Sequence, residues 1–407
     1  MKKISTVILI CIALFVKADS WTQKANFGGG IRGFDCSFSI GDKGYIGCGG
    51  NPGAVNDFWE FDPATNIWTQ KADFGGTARV GPVGFSIGAK GYIGTGGSNN
   101  DFWEWDQATN IWTQKANYPG GFVTAAVGFS IGNKGYIGTG YGASMHQDFW
   151  EWDPLSNTWS QKADLPGSPR WLAVGFSIGN KGYIGTGADG ISVTANLLND
   201  FWEWDQTTGL WTQKASLVTE RVEASGFSIG NYGFIGVGSI VWGSADIDDL
   251  WQYDVVNDTW LQVADFGAGQ RELGIGFSIG CKGYFGTGVI NDANWHDDIW
   301  EYTPDSYVCT TGINETQGSN MQFTISPNPA KEFIVISYPK TGNEKINLTV
   351  TDAQSKKVFE TQLQPKTSNF KLPTSSFSKG IYFVEISDAG RPAGEGKQKA
   401  VRKFIKN

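Results

Sequence analysis

The stretch FSIGxxGYIGxG recurs six times, and no other property of the chain restricts its fold as strongly. The copies start at Phe38, Phe85, Phe129, Phe176, Phe227 and Phe277, which sets successive periods of 47, 44, 47, 51 and 50 residues. Two further pieces keep step with it. An aromatic–acid run, DFWEWD or a variant, lies at 57–62, 101–106, 148–153, 200–205, 249–254 and 298–303. A WTQKA-like run begins at Trp21, Trp68, Trp112, Trp159, Trp211 and Trp260. Each piece is short, rich in aromatic and β-branched residues, and bounded by turn formers, so each reads as a strand. Four strands in a period near ~50 residues is the pattern of an all-β propeller in which one repeat is one blade.

The unit 81–116 shows the assignment. VGFSIG is strand a, GYIGTG strand b, DFWEWD strand c and IWTQKA strand d. In strand a, Phe85 and Ile87 share one face, and Gly84 and Ser86 the other. The small face lets innermost strands crowd the axis while the large face fills the gap to the next blade. In strand c, Phe102 is expected to face one neighbouring blade and Trp103 and Trp105 the other, because both faces of a blade are covered. Fifteen of the 18 tryptophans repeat in this way and read as filling between blades; each buried aromatic removes roughly 150–250 Å² from water. The a–b link suits a two-residue hairpin. A turn at Asp42-Lys43 would set Cys36 opposite Gly49, with Cys36 and Cys48 on opposite faces and unbonded.

The order of pieces predicts how the ring closes. The first is a lone strand d at 21–25, and the last repeat has a, b and c but no strand d. Six blades follow, the sixth completed by the N-terminal strand, which removes two exposed sheet edges.

The glycines after strand b, the aromatic–Asp run of strand c, the tryptophan of strand d and an arginine six residues before the FSIG phenylalanine together resemble the Kelch-repeat family. That arginine is Arg32, Arg79, Arg170, Arg221 and Arg271, with Val123 in the third repeat. The resemblance covers residues 20–303 and implies a Kelch-type propeller without naming an activity, because propellers host many.

Residues 1–18 read as a secretory signal peptide: Lys2 and Lys3, the apolar run 7–16, and a small residue at Ala18. The propeller is assigned to 19–303 and a polar linker to 304–320. Residues 321–407 alternate short apolar strands with turns, long enough for a small C-terminal β-sandwich. This tail resembles the type A C-terminal sorting domain of the type IX secretion system of Bacteroidetes. The matching residues are Pro327, Asn328 and Pro329, then Gly380, Ile381, Tyr382 and Phe383, then Lys403 and Lys406; the usual Asp-x-x-Gly-Lys turn lacks its glycine at 352–356. The resemblance implies export, the type IX secretion machinery and its sortase as partners, and attachment to the outer-membrane surface.

Charge divides at the same boundary. Residues 1–303 carry 18 Lys+Arg against 31 Asp+Glu, and residues 304–407 carry 14 against 9. Nucleic acid is not expected as a partner of the acidic propeller, since phosphate binding needs clustered cations; a monomer is expected. Cys281, in the a–b turn of the sixth blade, and Cys309, just past its strand c, reach the same face, which makes them a candidate disulfide in an oxidising compartment.

Function is expected on the face formed by the d–a and b–c loops, because the b–c loops vary in length and content. Trp171, Trp242 and Trp295, the three tryptophans outside the repeat positions, fall there. With Arg170, Arg221 and Arg271 near the mouth they form a candidate site for a glycan or protein ligand. The competing reading has the tryptophans covering blade edges and the arginines tying loops to carbonyls. An enzyme resembling the Kelch-type sialic-acid mutarotases, with Glu223 and Glu272 beside arginines, or resembling galactose oxidase, is the alternative to a binding module. His146 and His296 are the chain's two histidines and lie in opposite blades, so a copper site is not expected. No Ser/His/Asp set, calcium-loop spacing, zinc motif or phosphate loop is present, so no catalytic residue, metal or cofactor is assigned.

Overall fold

The computed structural model describes residues 19–305 except 51, 193 and 243, residue 308, and in the C-terminal part 324–326, 332–337, 346–352, 356–363, 369–377, 380–388 and 399–406. Six four-stranded antiparallel sheets follow one another as the blades of a ring. Blade 1 is Cys36–Ile40, Lys43–Gly47, Phe58–Asp62 and Ile67–Gln70, from the axis outward. Blades 2 to 5 repeat this order. Blade 6 is Ile275–Ile279, Lys282–Gly286 and Ile299–Thr303, completed by Ser20–Gln23 at its outer edge. Trp21 pairs with Tyr302 and Gln23 with Trp300. The propeller's first described strand thus closes the ring on the propeller's last.

Three concentric sets of bonds join blade to blade, and each explains a repeated residue. On the outside, every strand-d indole N–H donates to an alanine carbonyl of the preceding blade: Trp21 to Ala264, Trp68 to Ala25, Trp112 to Ala72, Trp159 to Ala116, Trp211 to Ala163 and Trp260 to Ala215, at 2.8–3.2 Å. Further in, the second residue after strand b is a glycine at φ between 81° and 102°. Its N–H reaches the carbonyl of the next blade's arginine position, as in Gly49 to Arg79 and Gly288 to Arg32. Only glycine adopts that backbone freely. The innermost set is a closed ring: Gly81 N–H to Phe34 O, Ala125 to Gly81, Leu172 to Ala125, Glu223 to Leu172, Leu273 to Glu223 and Phe34 to Leu273. All six residues have φ of 50–63°, and five are not glycine.

Side chains follow the alternation read from the sequence. Phe102 packs on Trp152 and Trp159 of blade 3, while Trp105 packs on Tyr45 and Phe58 of blade 1. The b-strand tyrosine donates to the carboxylate opposite it, as Tyr92 does to Glu104 at 2.7 Å. Blade 5 replaces both members at once, pairing Phe234 with Gln252.

The hairpin register differs from the expectation. The turn is Gly41-Asp42, so Ile40 pairs with Lys43 and Cys36 with Gly47, not Gly49. Gly41, at φ 61°, supplies the left-handed first loop position that a glycine-first hairpin turn requires. Cys36 and Cys48 are buried and unbonded, but they share one core cluster and do not lie on opposite faces as expected; burial pushes the Cys48 thiol up to about 12.

In the tail, a three-stranded sheet of Thr324–Ser326, Phe333–Ser337 and Asn369–Pro373 accompanies a four-stranded one of Lys357–Leu363, Ile346–Asp352, Gly380–Asp388 and Lys399–Lys406. Ile334, Ile336, Leu372, Leu348, Val350, Val384 and Ile386, drawn from both sheets, share one buried core, which makes the tail a small β-sandwich.

Candidate functional site

The arginines ahead of strand a are buried in ion pairs and not exposed on the loop face. Arg170 and Arg221 are fully buried and Arg271 nearly so. Each grips the first aspartate of the DFWEWD run with both terminal nitrogens: Arg170 on Asp200 at 2.6 and 2.7 Å, Arg221 on Asp249 at 2.5 and 2.9 Å, Arg271 on Asp298 at 2.8 and 3.2 Å. Each also donates to a carbonyl just after strand b, at Thr186, Val237 and Thr287. The aspartate takes a further bond from the indole two residues on, as Asp200 does from Trp202 at 2.7 Å. This clamp joins a d–a loop to strands b and c, and it holds Asp200 and Asp298 below the ordinary carboxylate range despite their burial. Arg32 and Arg79 form the same clamp on Asp57 and Asp101.

Blade 3, which has Val123 in place of the arginine, uses a histidine. His146 Nδ1 lies 3.0 Å from Asp148 Oδ1, and Trp150 donates to the other oxygen at 2.6 Å. His296 lies 3.8 Å from Asp298 in blade 6. His146 therefore completes the clamp of blade 3, whereas His296 only neighbours the Arg271–Asp298 clamp of blade 6, so the two imidazoles belong to different blades. Among the described residues no group of three His, Cys, Asp or Glu side chains is placed to hold a metal ion.

The variable loops do bring aromatic residues together. Trp171 stacks on Trp242 at 5.8 Å with the rings 29° from parallel, and Tyr141 meets Trp171 at 5.4 Å. All three are half-buried. The row runs across blades 3, 4 and 5, and the Trp171 indole is fixed by a 2.9 Å bond to the Gly190 carbonyl. Trp295 belongs to the same apolar layer but sits over blade 1, where a Cβ on Gly33 would collide with it. Beside Trp242 lies a cavity of about 600 Å³. Its polar lining is Ser168, Asp189, Asn196 and Glu220, and its apolar lining includes Leu198 and Ile240.

A second feature escaped the sequence reading. Glu223 and Glu272 were paired there with the neighbouring arginines, but those arginines are bound to Asp249 and Asp298. The two glutamates instead meet each other and Asp246. Glu272 is fully buried and Asp246 nearly so. Removal from water pushes Glu223 up to about 7 and Glu272 up to about 10. Comparing repeats position by position would have found them, because other blades carry apolar or small residues there. Below the inner ring, the starts of the six a strands enclose an axial cavity of about 150 Å³. Asp35 reaches it, accepts a 3.2 Å bond from the Thr287 hydroxyl, and is pushed up to about 7 by burial.

Several expectations fall on residues outside the described set: the 1–18 signal peptide, most of the 304–320 linker, Pro327, Asn328, Pro329, and Cys309 with its pairing to Cys281. Gly380 and Lys403 lie in paired strands, and Tyr382 is buried in the sandwich core.

Residues 324–407 match the family model described as "Secretion system C-terminal sorting domain". Among solved structures, one titled "Structure of YjhT" is similar with a TM-score of 0.59 at 16% identity, covering 68% of this chain and 95% of that one. At that identity the likeness concerns the fold alone, and it supports the propeller. No curated protein matches the chain. The tail is a type IX sorting domain, and the chain is exported by that route to the cell surface or the extracellular space.

Proposed function

We propose that the propeller is a glycan-binding module carried to the cell surface, with its ligand held on the aromatic row of blades 3 to 5. The stacked pair Trp171–Trp242 carries this reading. Flat indole faces suit the C–H faces of a sugar ring, and Asp189, Asn196, Ser168 and Glu220 offer acceptors and donors for hydroxyls in the adjoining cavity. The arginines drop out of this proposal because their guanidinium groups are committed to the clamps. Strand c of blade 6 places Tyr302 beside Gly283, next to the a–b turn and so opposite the b–c loops. A tail attached to the surface from that side would leave the aromatic row facing outward.

The test is glycan-array binding by the full chain, followed by titration of any hit against Trp242→Ala and Trp171→Ala. Truncating a central aromatic anchor is expected to weaken binding at least about tenfold, roughly 1.4 kcal/mol, with an unchanged circular dichroism spectrum. A silent array, or a hit indifferent to both substitutions, refutes the reading. Capture of a protein ligand sensitive to the same two residues would replace the glycan with a protein.

A further inference from the structure

Three positions of each repeat meet above the axial channel. The first is the left-handed residue of the inner ring, which is Glu223 in blade 5 and Phe34, Gly81, Ala125, Leu172 or Leu273 elsewhere. The second is the residue before it, which is Glu272 in blade 6 and never acidic in the other five. The third lies in the b–c loop and bridges back to the exit of strand b: Asp246 in blade 5, against Ala54, Met145, Leu197 and Trp295 in the others that have it. At these positions the other blades build an apolar layer containing Leu172, Val222, Leu273 and Leu197. Carboxyl groups replace all three at one place, the junction of blades 5 and 6.

The hydrogen bonds of these carboxyls are half complete. Glu272 Oε1 accepts the Asp292 N–H at 3.1 Å, and Asp246 Oδ2 accepts the Asn291 N–H at 2.7 Å. Their other oxygens, Glu272 Oε2 and Asp246 Oδ1, are buried with no donor among the described residues. A buried carboxylate oxygen without a donor is costly. The groups that act on Glu223 are Glu272, Asp246 and Asp292, and those that act on Glu272 are Glu223 and Asp246. No cation is among them. Arg221 and Arg271, on the same loops, point to Asp249 and Asp298, and His296 sits by Asp298. The missing donor is a proton on the acids themselves.

We propose that Glu223, Glu272 and Asp246 form a proton-held clasp that ties the d–a and b–c loops of blades 5 and 6 together, so that these loops are ordered in acid and loosen as the pH rises. The clasp stands without the glycan reading. Only its consequence rests on that reading: Trp242 shares a b–c loop with Asp246, so ligand binding would weaken in alkali.

The sign follows from the raised values. A carboxyl that holds its proton more tightly in the closed state stabilises closure at low pH, and this is lost between the ordinary carboxyl value near 4.5 and the raised ones, about 7 for Glu223 and about 10 for Glu272. Loop opening should rise about tenfold per pH unit for each proton held in that window. The experiment is hydrogen exchange by mass spectrometry on the full chain at pH 5 to 8, corrected for intrinsic rates and needing no ligand. Segments 239–248 and 289–297 are expected to lose protection as pH rises, while the equivalent loops at 142–147 and 189–199 do not. Glu223→Gln with Glu272→Gln, and separately Glu223→Leu, which restores the residue of blades 4 and 6, are expected to flatten the pH response. Wild-type loops insensitive to pH, or a response that survives in both variants, would overturn the clasp. So would recovery of protection at pH 8 on adding millimolar calcium to the wild type, which would make the cluster a cation site. A flat pH response beside intact glycan binding would fault the clasp alone.

Discussion

Removing Trp21 isolates what ring closure contributes, because blade 1 contains a matched control. Trp21 packs on Phe266 at 5.0 Å, Tyr302 at 5.1 Å and Phe285 at 5.6 Å, and its indole donates to Ala264 at 3.2 Å. Trp68 packs on Phe61 and Phe27, both at 4.9 Å, and donates to Ala25 at 3.1 Å. By local contacts the two alanine substitutions should cost alike, about 3–5 kcal/mol each. Their tethers differ. Strand Ile67–Gln70 is joined to its neighbour Phe58–Asp62 by a four-residue turn and refinds it at little entropic cost. Strand Ser20–Gln23 meets Ile299–Thr303 only through side chains and ladder bonds. Trp21→Ala should therefore release the strand and expose the edge of Ile299–Thr303. Hydrogen exchange would report fast exchange at 299–303 in Trp21→Ala but protected 58–62 in Trp68→Ala. Size-exclusion chromatography should show self-association only for the former, through the bared edge. Equal protection of the two edges would refute closure by the N-terminal strand as the weak seam.

Two more predictions concern the clamps and the inner ring. Arg170→Met leaves Asp200 without its cation beside the Trp202 indole, and should cost about 3–5 kcal/mol in urea unfolding; adding Asp200→Asn should recover part of it, and strict additivity in the double-mutant cycle would contradict the clamp. Ala125 sits at φ 50° in the inner ring, so Ala125→Gly should raise the unfolding free energy by up to about 1 kcal/mol, the reverse of the usual sign for this change; a loss would mean that its methyl contact outweighs the backbone strain.

The parts legible in the sequence were those repeated six times. Blade count, strand identity and closure came from period and order, since a propeller multiplies one local solution around an axis. The clamp was half legible: the arginine could be seen at fixed spacing, but its partner lies 22 to 30 residues away on another strand, as with Arg79 and Asp101 or Arg170 and Asp200. The hairpin register failed by one position at each side of the turn, because Gly41 and Gly44 are equally glycine in the sequence and only the left-handed backbone at Gly41 decides which is in the loop. The stacking of Trp171 on Trp242 was not legible, since the loops that carry them differ in length and sequence.

This asymmetry supports the proposed location of function. Whatever all six blades share must serve the ring, because each copy makes the same bond to the next blade: the strand-d tryptophan, the glycine after strand b, the arginine or its histidine stand-in. Function must then lie where one blade departs from the others without damage to its neighbours. Departures that only compensate each other, such as Phe234 with Gln252 in place of tyrosine with glutamate, keep the ring and carry no further meaning. Glu223, Glu272 and Asp246 are different in kind. Each places a carboxyl where other blades have an apolar or small residue, none is offset by a cation among the described residues, and the three fall together at one junction beside the loop of Trp242. Burial of that cluster costs stability that Leu or Val at the same positions would not. A cost that an inert scaffold has no reason to carry singles out the junction of blades 5 and 6, beside the loop of Trp242, as the place to test the proposed function first.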